Sequence, residues 1–291
     1  MSFHLISLQL GDETEMLDRA LEALEEVTPG ETAFLPEYLA WTSRGSGRAF
    51  ARLIAFAQDQ NINIITSLNL GGDLIEDLPG HDPELRYNAL TIFTRHGAAH
   101  VPQAKISTQS FEMDSAIDGP NIVVSPYGRL NRVMIDVDDS LIDARFLICS
   151  DLFAFQRLPP AALRCDLLVV IANFAYGAEK VASRLLGRAL ECGVAKTVVH
   201  VNAFHEPGKP RRQALAIKVE EVLDTLVEIP PAEVWPSPRA IRNAFFVYPD
   251  RAARDFVSMC KLRGRKGRIA VPESRWEIPI EPSEYPVTVV L

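Results

Sequence analysis

Residues 144–156 read ARFLICSDLFAFQ. The apolar run Arg145-Phe146-Leu147-Ile148-Cys149 stops at the polar pair Ser150-Asp151, so a buried strand is expected to end on a thiol. Such a cysteine is either the last member of a core strand or a nucleophile held at a strand tip. Outward from it, strand and helix signals alternate. Upstream, His4–Leu10 reads as a strand and Glu13–Val27 as a helix carrying Met16, Leu17, Leu21 and Leu24 on one face. Thr32–Leu35 comes after the turn Pro29-Gly30 as a short strand. Gly47–Gln58 is helical and Ile62–Leu70 is β-rich, while Gly71–Arg86 is a polar loop long enough to suggest mobility or function. Asn88–Thr94 and Ala98–Lys105 flank Arg95-His96-Gly97, a hairpin signature. The turn Pro126-Tyr127-Gly128 joins Ile122–Ser125 to Val133–Val137. Downstream come a strand at Leu167–Ile171, a helix at Lys180–Cys192 and a strand at Thr197–Asn202. The fold class is therefore α/β, with sheets covered by helices. Residues 1–291 are expected to form one domain, of which 204–291 is a divergent, proline-marked C-terminal region.

Composition narrows the function. A chain of 291 residues, 47% hydrophobic, can bury a large core, and its net charge of -8 gives no broad footprint for nucleic acid. The one basic cluster, Lys261 to Arg268, contains two glycines and reads as a solvated loop. Four cysteines without CxxC spacing fit a reducing, cytoplasmic setting, and the N-terminus resembles no signal peptide. No run of eighteen apolar residues suggests a membrane span. Asp136, Asp138, Asp139 and Asp143 lack EF-hand spacing and read as a solvated loop, so neither a metal nor a cofactor is expected.

Chemistry in α/β sheets collects where strands end. Glu37 comes directly after Phe34-Leu35-Pro36, Lys105 closes the hairpin and Cys149 ends its strand. Taken singly, they read as a surface carboxylate, a solvated lysine and an inert core thiol. Together they supply a proton acceptor, an oxyanion partner and a nucleophile, which suffices for covalent acyl chemistry. No histidine is placed to act as the base: His200 lies in an apolar strand and His205 in a loop.

These residues resemble the nitrilase superfamily of carbon–nitrogen hydrolases. Phe34-Leu35-Pro36-Glu37 is similar to that family's glutamate motif, and Gln103-Ala104-Lys105, after Arg86-Tyr87-Asn88-Ala89-Leu90, to its lysine motif. Leu147-Ile148-Cys149-Ser150-Asp151 is similar to its cysteine motif. Cys165–Phe174 resembles the family's next strand, and Arg188–Asn202 the helix and strand after that. The likeness covers about residues 1 to 203. Three motifs in order, separated by 68 and 44 residues, make it fairly specific.

The resemblance implies an α-β-β-α sandwich, with Cys149 as nucleophile, Glu37 as general base and Lys105 as oxyanion stabiliser. Glu112 would hold Lys105. The reaction implied is cleavage of a small-molecule amide, carbamoyl or nitrile carbon–nitrogen bond. Asp151 two residues past the cysteine looks more like amidase-type members. An acyltransferase on the same scaffold and a catalytically silent ligand-binding homologue are the alternatives. Tyr38, Trp41, Ser150, Phe153 and Phe174 are the expected substrate-binding residues, although aromatics near the motifs also serve as core. The family further implies a homodimer through Gln156–Arg164 and Lys180–Cys192. Departures from its pattern are Ser150 in place of an aromatic residue, Leu152–Gln156 where a Pro-Glu pair is usual, and the region after Asn202.

Overall fold

The computed structural model describes residues 3–6, 8, 12–37, 39–76, 78, 81–106, 129–137, 140–152, 164–173, 186, 189, 193–203, 214–218 and 281–291. They form two sheets. The first has the order β1 (Phe3–Leu5), β2 (Thr32–Phe34), β3 (Asn63–Leu70), β4 (Tyr87–Phe93), β5 (Ala99–Ala104). Its first three strands are parallel, and β3, β4 and β5 then alternate in direction. The second sheet runs β10 (Ala214–Lys218), β9 (Ala195–Asn202), β8 (Cys165–Ala172), β7 (Ser140–Ile148), β6 (Arg129–Val137), β11 (Glu281–Val290). Here β7, β8 and β9 are parallel, as are β6 and β11.

Strand alternation explains the layers. Ala33, Ile64, Leu68, Ala89 and Phe93 point one way from the first sheet into a core shared with two helices. Helix α1 (Glu13–Leu24) buries Met16, Leu17, Ala20, Leu21 and Leu24, and α2 (Ser43–Asp59) buries Ala49, Leu53 and Ala57. The intervening residues Phe34, Ile65, Leu90 and Ile92 point the other way and pack against Val133, Ile135 and Phe146 of the second sheet. Leu186 and Ala189, both helical, join that second core. The result is the expected α-β-β-α sandwich. Strand β8 is apolar almost throughout, as a parallel strand covered on both faces must be.

The structure changes several expectations. β1 is shorter than the apolar run suggests, and β7 starts at Ser140 rather than near Arg145. Asp136 and Asp143 are not loop residues: β6 and β7 form an antiparallel hairpin in which Asp143 pairs with Met134. Arg132 Nε donates to Asp143 Oδ2 at 2.9 Å, which pairs the carboxylate that a solvated loop would have left to water. The polar stretch Gly71–Arg86 is anchored, with a 3-10 turn at Gly72–Ile75, a bond of 2.8 Å from Gly72 N–H to Pro83 O, and buried Ile75 and Leu78. The C-terminal region contributes two strands, β10 and β11, to the second sheet. Of the segments expected at a dimer face, only Arg164, Leu186 and Ala189 are described. The last two are buried against the sheet. The strand at Ile122–Ser125, His205 and the basic cluster lie outside the described residues. Among the described residues, no helix is long and apolar enough to cross a membrane.

Candidate active site

Three strand ends deliver the candidate residues. β2 ends at Phe34 and the chain runs through Leu35-Pro36 to Glu37; Thr66 Oγ1 donates to Pro36 O at 3.1 Å and fixes this exit. β5 ends at Ala104, and the next amide, that of Lys105, donates to Asn88 O at 2.7 Å, which extends the hairpin pairing by one residue. Glu37 and Lys105 then meet. Lys105 Nζ donates to Glu37 Oε1 at 2.9 Å, with the two side chains 1% and 0% exposed. Asn88 Nδ2 donates to the same oxygen at 2.7 Å. An ion pair so fully removed from water is tolerable only with good geometry and further hydrogen bonds, and both are present.

Cys149 comes directly after β7. Its φ of 49° lies in the left-handed region, which a residue with a Cβ enters at a cost of about 1–3 kcal/mol. The turn is held on both sides, by Cys149 N–H donating to Ile171 O at 2.8 Å and by Leu152 N–H donating to Cys149 O at 3.1 Å. Backbone strain fixed at a strand end is a feature of sites where a side chain must be presented in one direction. The other described thiol, Cys165, is a different case. Burial first, and then the nearby Asp143 carboxylate, push it up to about 12, so it is protonated at neutral pH. His200 on β9 is fully buried, and burial pushes it down to about 4, so the imidazole is neutral.

Asp151 has a place that its spacing alone did not reveal. It is completely buried, and its carboxylate accepts from Ile106 N–H at 3.1 Å and from Ile148 N–H at 3.3 Å. It therefore ties the residue after Lys105 to the residue before Cys149. Gln103 makes a second cross-sheet tie: its Nε2 donates to Phe146 O and its Oε1 accepts from Asn131 N–H, both at 2.9 Å. Asn88, Gln103 and Asp151 are the site-supporting residues that the motifs contained without disclosing their partners.

Among the expected substrate-binding residues, Ser150 is buried beside Cys149, and Trp41 is half-buried against the core shared with α1 and α2. The Trp41 backbone is clamped, because Glu13 accepts from its N–H while Asn69 Nδ2 and Arg86 Nη2 donate to its carbonyl at 3.1 and 2.6 Å. Tyr38, Glu112, Phe153 and Phe174 lie outside the described residues.

No protein-family model matches the sequence, and no curated protein matches it significantly. Solved structures do match. A CN-hydrolase superfamily protein from Xanthomonas campestris, with an arsenic adduct in its active site, is similar with a TM-score of 0.52 and 17% identity, over 75% of this chain and 82% of its own. An amidase from Nesterenkonia sp. is similar with a TM-score of 0.52 and 14% identity, over 75% of this chain and 81% of its own. A variant of the amidase from Nesterenkonia sp. AN1, showing covalent addition of the acetamide moiety of fluoroacetamide at the active-site cysteine, reaches 0.55 and 15% identity, over 88% and 91%. At such identities a likeness establishes architecture, and the chain has the α-β-β-α fold of the carbon–nitrogen hydrolase, or nitrilase, superfamily.

Proposed function

We propose that this protein hydrolyses a non-peptide carbon–nitrogen bond, amide or carbamoyl, through a thioester on Cys149. The observation that carries the reading is the buried Glu37–Lys105 pair, tied through Asp151 to a strand-end cysteine in a left-handed conformation. Covalent addition at the active-site cysteine of an amidase of the same fold accords with it. The two described cysteines form no disulfide, which suits a reducing cytoplasm.

In this reading Glu37 takes the thiol proton and Sγ attacks the carbonyl carbon. The oxyanion is met by Lys105 Nζ and, since the Cys149 N–H is committed to Ile171 O, by the Ser150 amide next along the turn. Collapse breaks the carbon–nitrogen bond as Glu37 returns the proton to the departing amine. A water that gives its proton to Glu37 then cleaves the thioester. Glu112 is assigned to support the Lys105 ammonium, and Tyr38, Trp41, Phe153 and Phe174 to bind substrate; of these, only Trp41 lies among the described residues.

The test is intact-mass spectrometry after incubation with a panel of short amides and carbamoyl compounds. An acyl increment mapped to Cys149 and absent from Cys149→Ala is expected, with turnover lost in Glu37→Gln because both thiol activation and thioester hydrolysis stop. Undiminished turnover by Cys149→Ala would sink the covalent mechanism.

A further inference from the structure

We infer that Asp151 is a positioning residue for this chemistry, a clasp that sets the Cys149 turn against the Lys105 segment. The inference rests on the proposed function, in which Cys149 is the nucleophile and Lys105 its charged partner. Lys105 and Cys149 stand at the ends of strands in different sheets, β5 and β7. Sheet-on-sheet packing through apolar side chains is non-directional and does not fix a separation to a fraction of an ångström. A carboxylate accepting one N–H from each side does. Asp151 Oδ1 takes the amide of Ile106, directly after Lys105, and Oδ2 that of Ile148, directly before Cys149.

Residue type matters at this point. Both partners are donors, so both side-chain oxygens must accept, and a carboxylate is the side chain of this length that offers two acceptors. Asparagine would turn a second donor against one of the N–H groups. The carboxylate is 0% exposed, and its burial is unfavourable unless it is hydrogen-bonded. Asp151 and Leu152 are helical and follow the left-handed Cys149 with only Ser150 between, so the clasp also holds the strained residue in its conformation.

Charge alone and position predict opposite effects. If Asp151 acted only as a nearby negative charge, its removal would favour the thiolate and speed alkylation of Cys149 at neutral pH. If it positions the turn beside the Lys105 ammonium, its loss withdraws the thiol from that cation, and alkylation slows. The experiment is the second-order rate of iodoacetamide modification at Cys149, read by peptide mass from pH 5.5 to 9.5, in the full-length protein, Asp151→Asn, Lys105→Met and the double variant. Asp151→Asn is expected to slow modification at pH 7 about tenfold and to move the profile upward. The double variant should be no slower than Lys105→Met, since the aspartate acts through the lysine. Faster or unchanged modification in folded Asp151→Asn overturns the inference. Should Asp151→Asn not fold, Asp151→Glu keeps the charge and displaces it by one methylene, and the same slowing is expected; failure of both to fold assigns Asp151 a purely structural role and also overturns the inference. If Lys105→Met leaves the profile as in the parent protein, the functional reading itself fails, which separates the two.

Discussion

Glu37 and Lys105 neutralise each other where water does not reach, and Asn88 supplies the extra donor that makes the arrangement tolerable. Removing one partner leaves the other charged and unsolvated, which costs about 3–5 kcal/mol in buried pairs, whereas replacing both with apolar groups is far milder. Lys105→Met is therefore expected to lose about that much in urea unfolding, and Glu37→Leu added to it should recover part of the loss. A double variant as unstable as the sum of the two singles would show that the pair is not coupled. Cys149 and Cys165 make the complementary point. Both thiols are buried and outside any disulfide, yet only Cys149 occupies a left-handed turn, while Cys165 sits at the start of β8 with its proton held.

At the level of elements, the segment leaving Glu37 is held by the start of α1. The Glu13 carboxylate accepts from the backbone N–H groups of Trp41 and Thr42 and, at 2.6 Å, from Thr42 Oγ1. Thr42 in turn caps α2, its Oγ1 accepting from Gly45 N–H at 3.0 Å. This crowding requires glycine at 45, where an added Cβ would lie 2.1 Å from Glu13 Oε2. Gly45→Ala must push the carboxylate off the Trp41–Thr42 backbone, so the usual helix gain from alanine is outweighed. A net loss of about 1–2 kcal/mol is expected by denaturant unfolding, with Glu13→Ala similar and the double variant no worse than either. An increase in stability on Gly45→Ala would contradict this account of the cap.

On the scale of the whole molecule, pH acts through a buried imidazole. His200 lies on β9 between Val170 of β8 and Leu215 of β10, and burial pushes it down to about 4. The unfolded chain takes up the proton near pH 6.5, whereas the folded one does not until about 4. Its contribution is thus complete above about pH 6.5 and lost as pH falls towards 4, by on the order of 3 kcal/mol at about 1.4 kcal/mol per unit. Asp166 affects a lower range: burial raises it, but the Lys196 hydrogen bond and the Asp143 amide outweigh that and leave it lowered. Melting temperature is accordingly expected to fall between about pH 6.5 and 4.5, and His200→Asn should flatten this slope whatever it does to stability at neutral pH. An unchanged slope in the variant would assign the effect elsewhere.

The sequence by itself determined the α/β class, most of the element order up to β9 and the three strand ends on which Glu37, Lys105 and Cys149 stand. These depend on local periodicity and on breaks in apolar runs, which are properties of neighbours in the chain. The four-layer sandwich followed only from the family resemblance. The β6–β7 hairpin was not legible because its aspartates resemble a solvated loop, whereas backbone pairing with Met134 makes Asp143 a strand residue and Arg132 across the hairpin pairs its carboxylate. The tertiary structure decided which groups meet: Asn88 with Glu37 across 51 residues, Lys105 with Glu37 across 68, and Asp151 with Ile106 across 45. A short polar side chain carries no period and no sign of its partner. Whether a carboxylate is solvated, paired or a clasp between two sheets is fixed only when packing brings a distant donor within hydrogen-bonding distance.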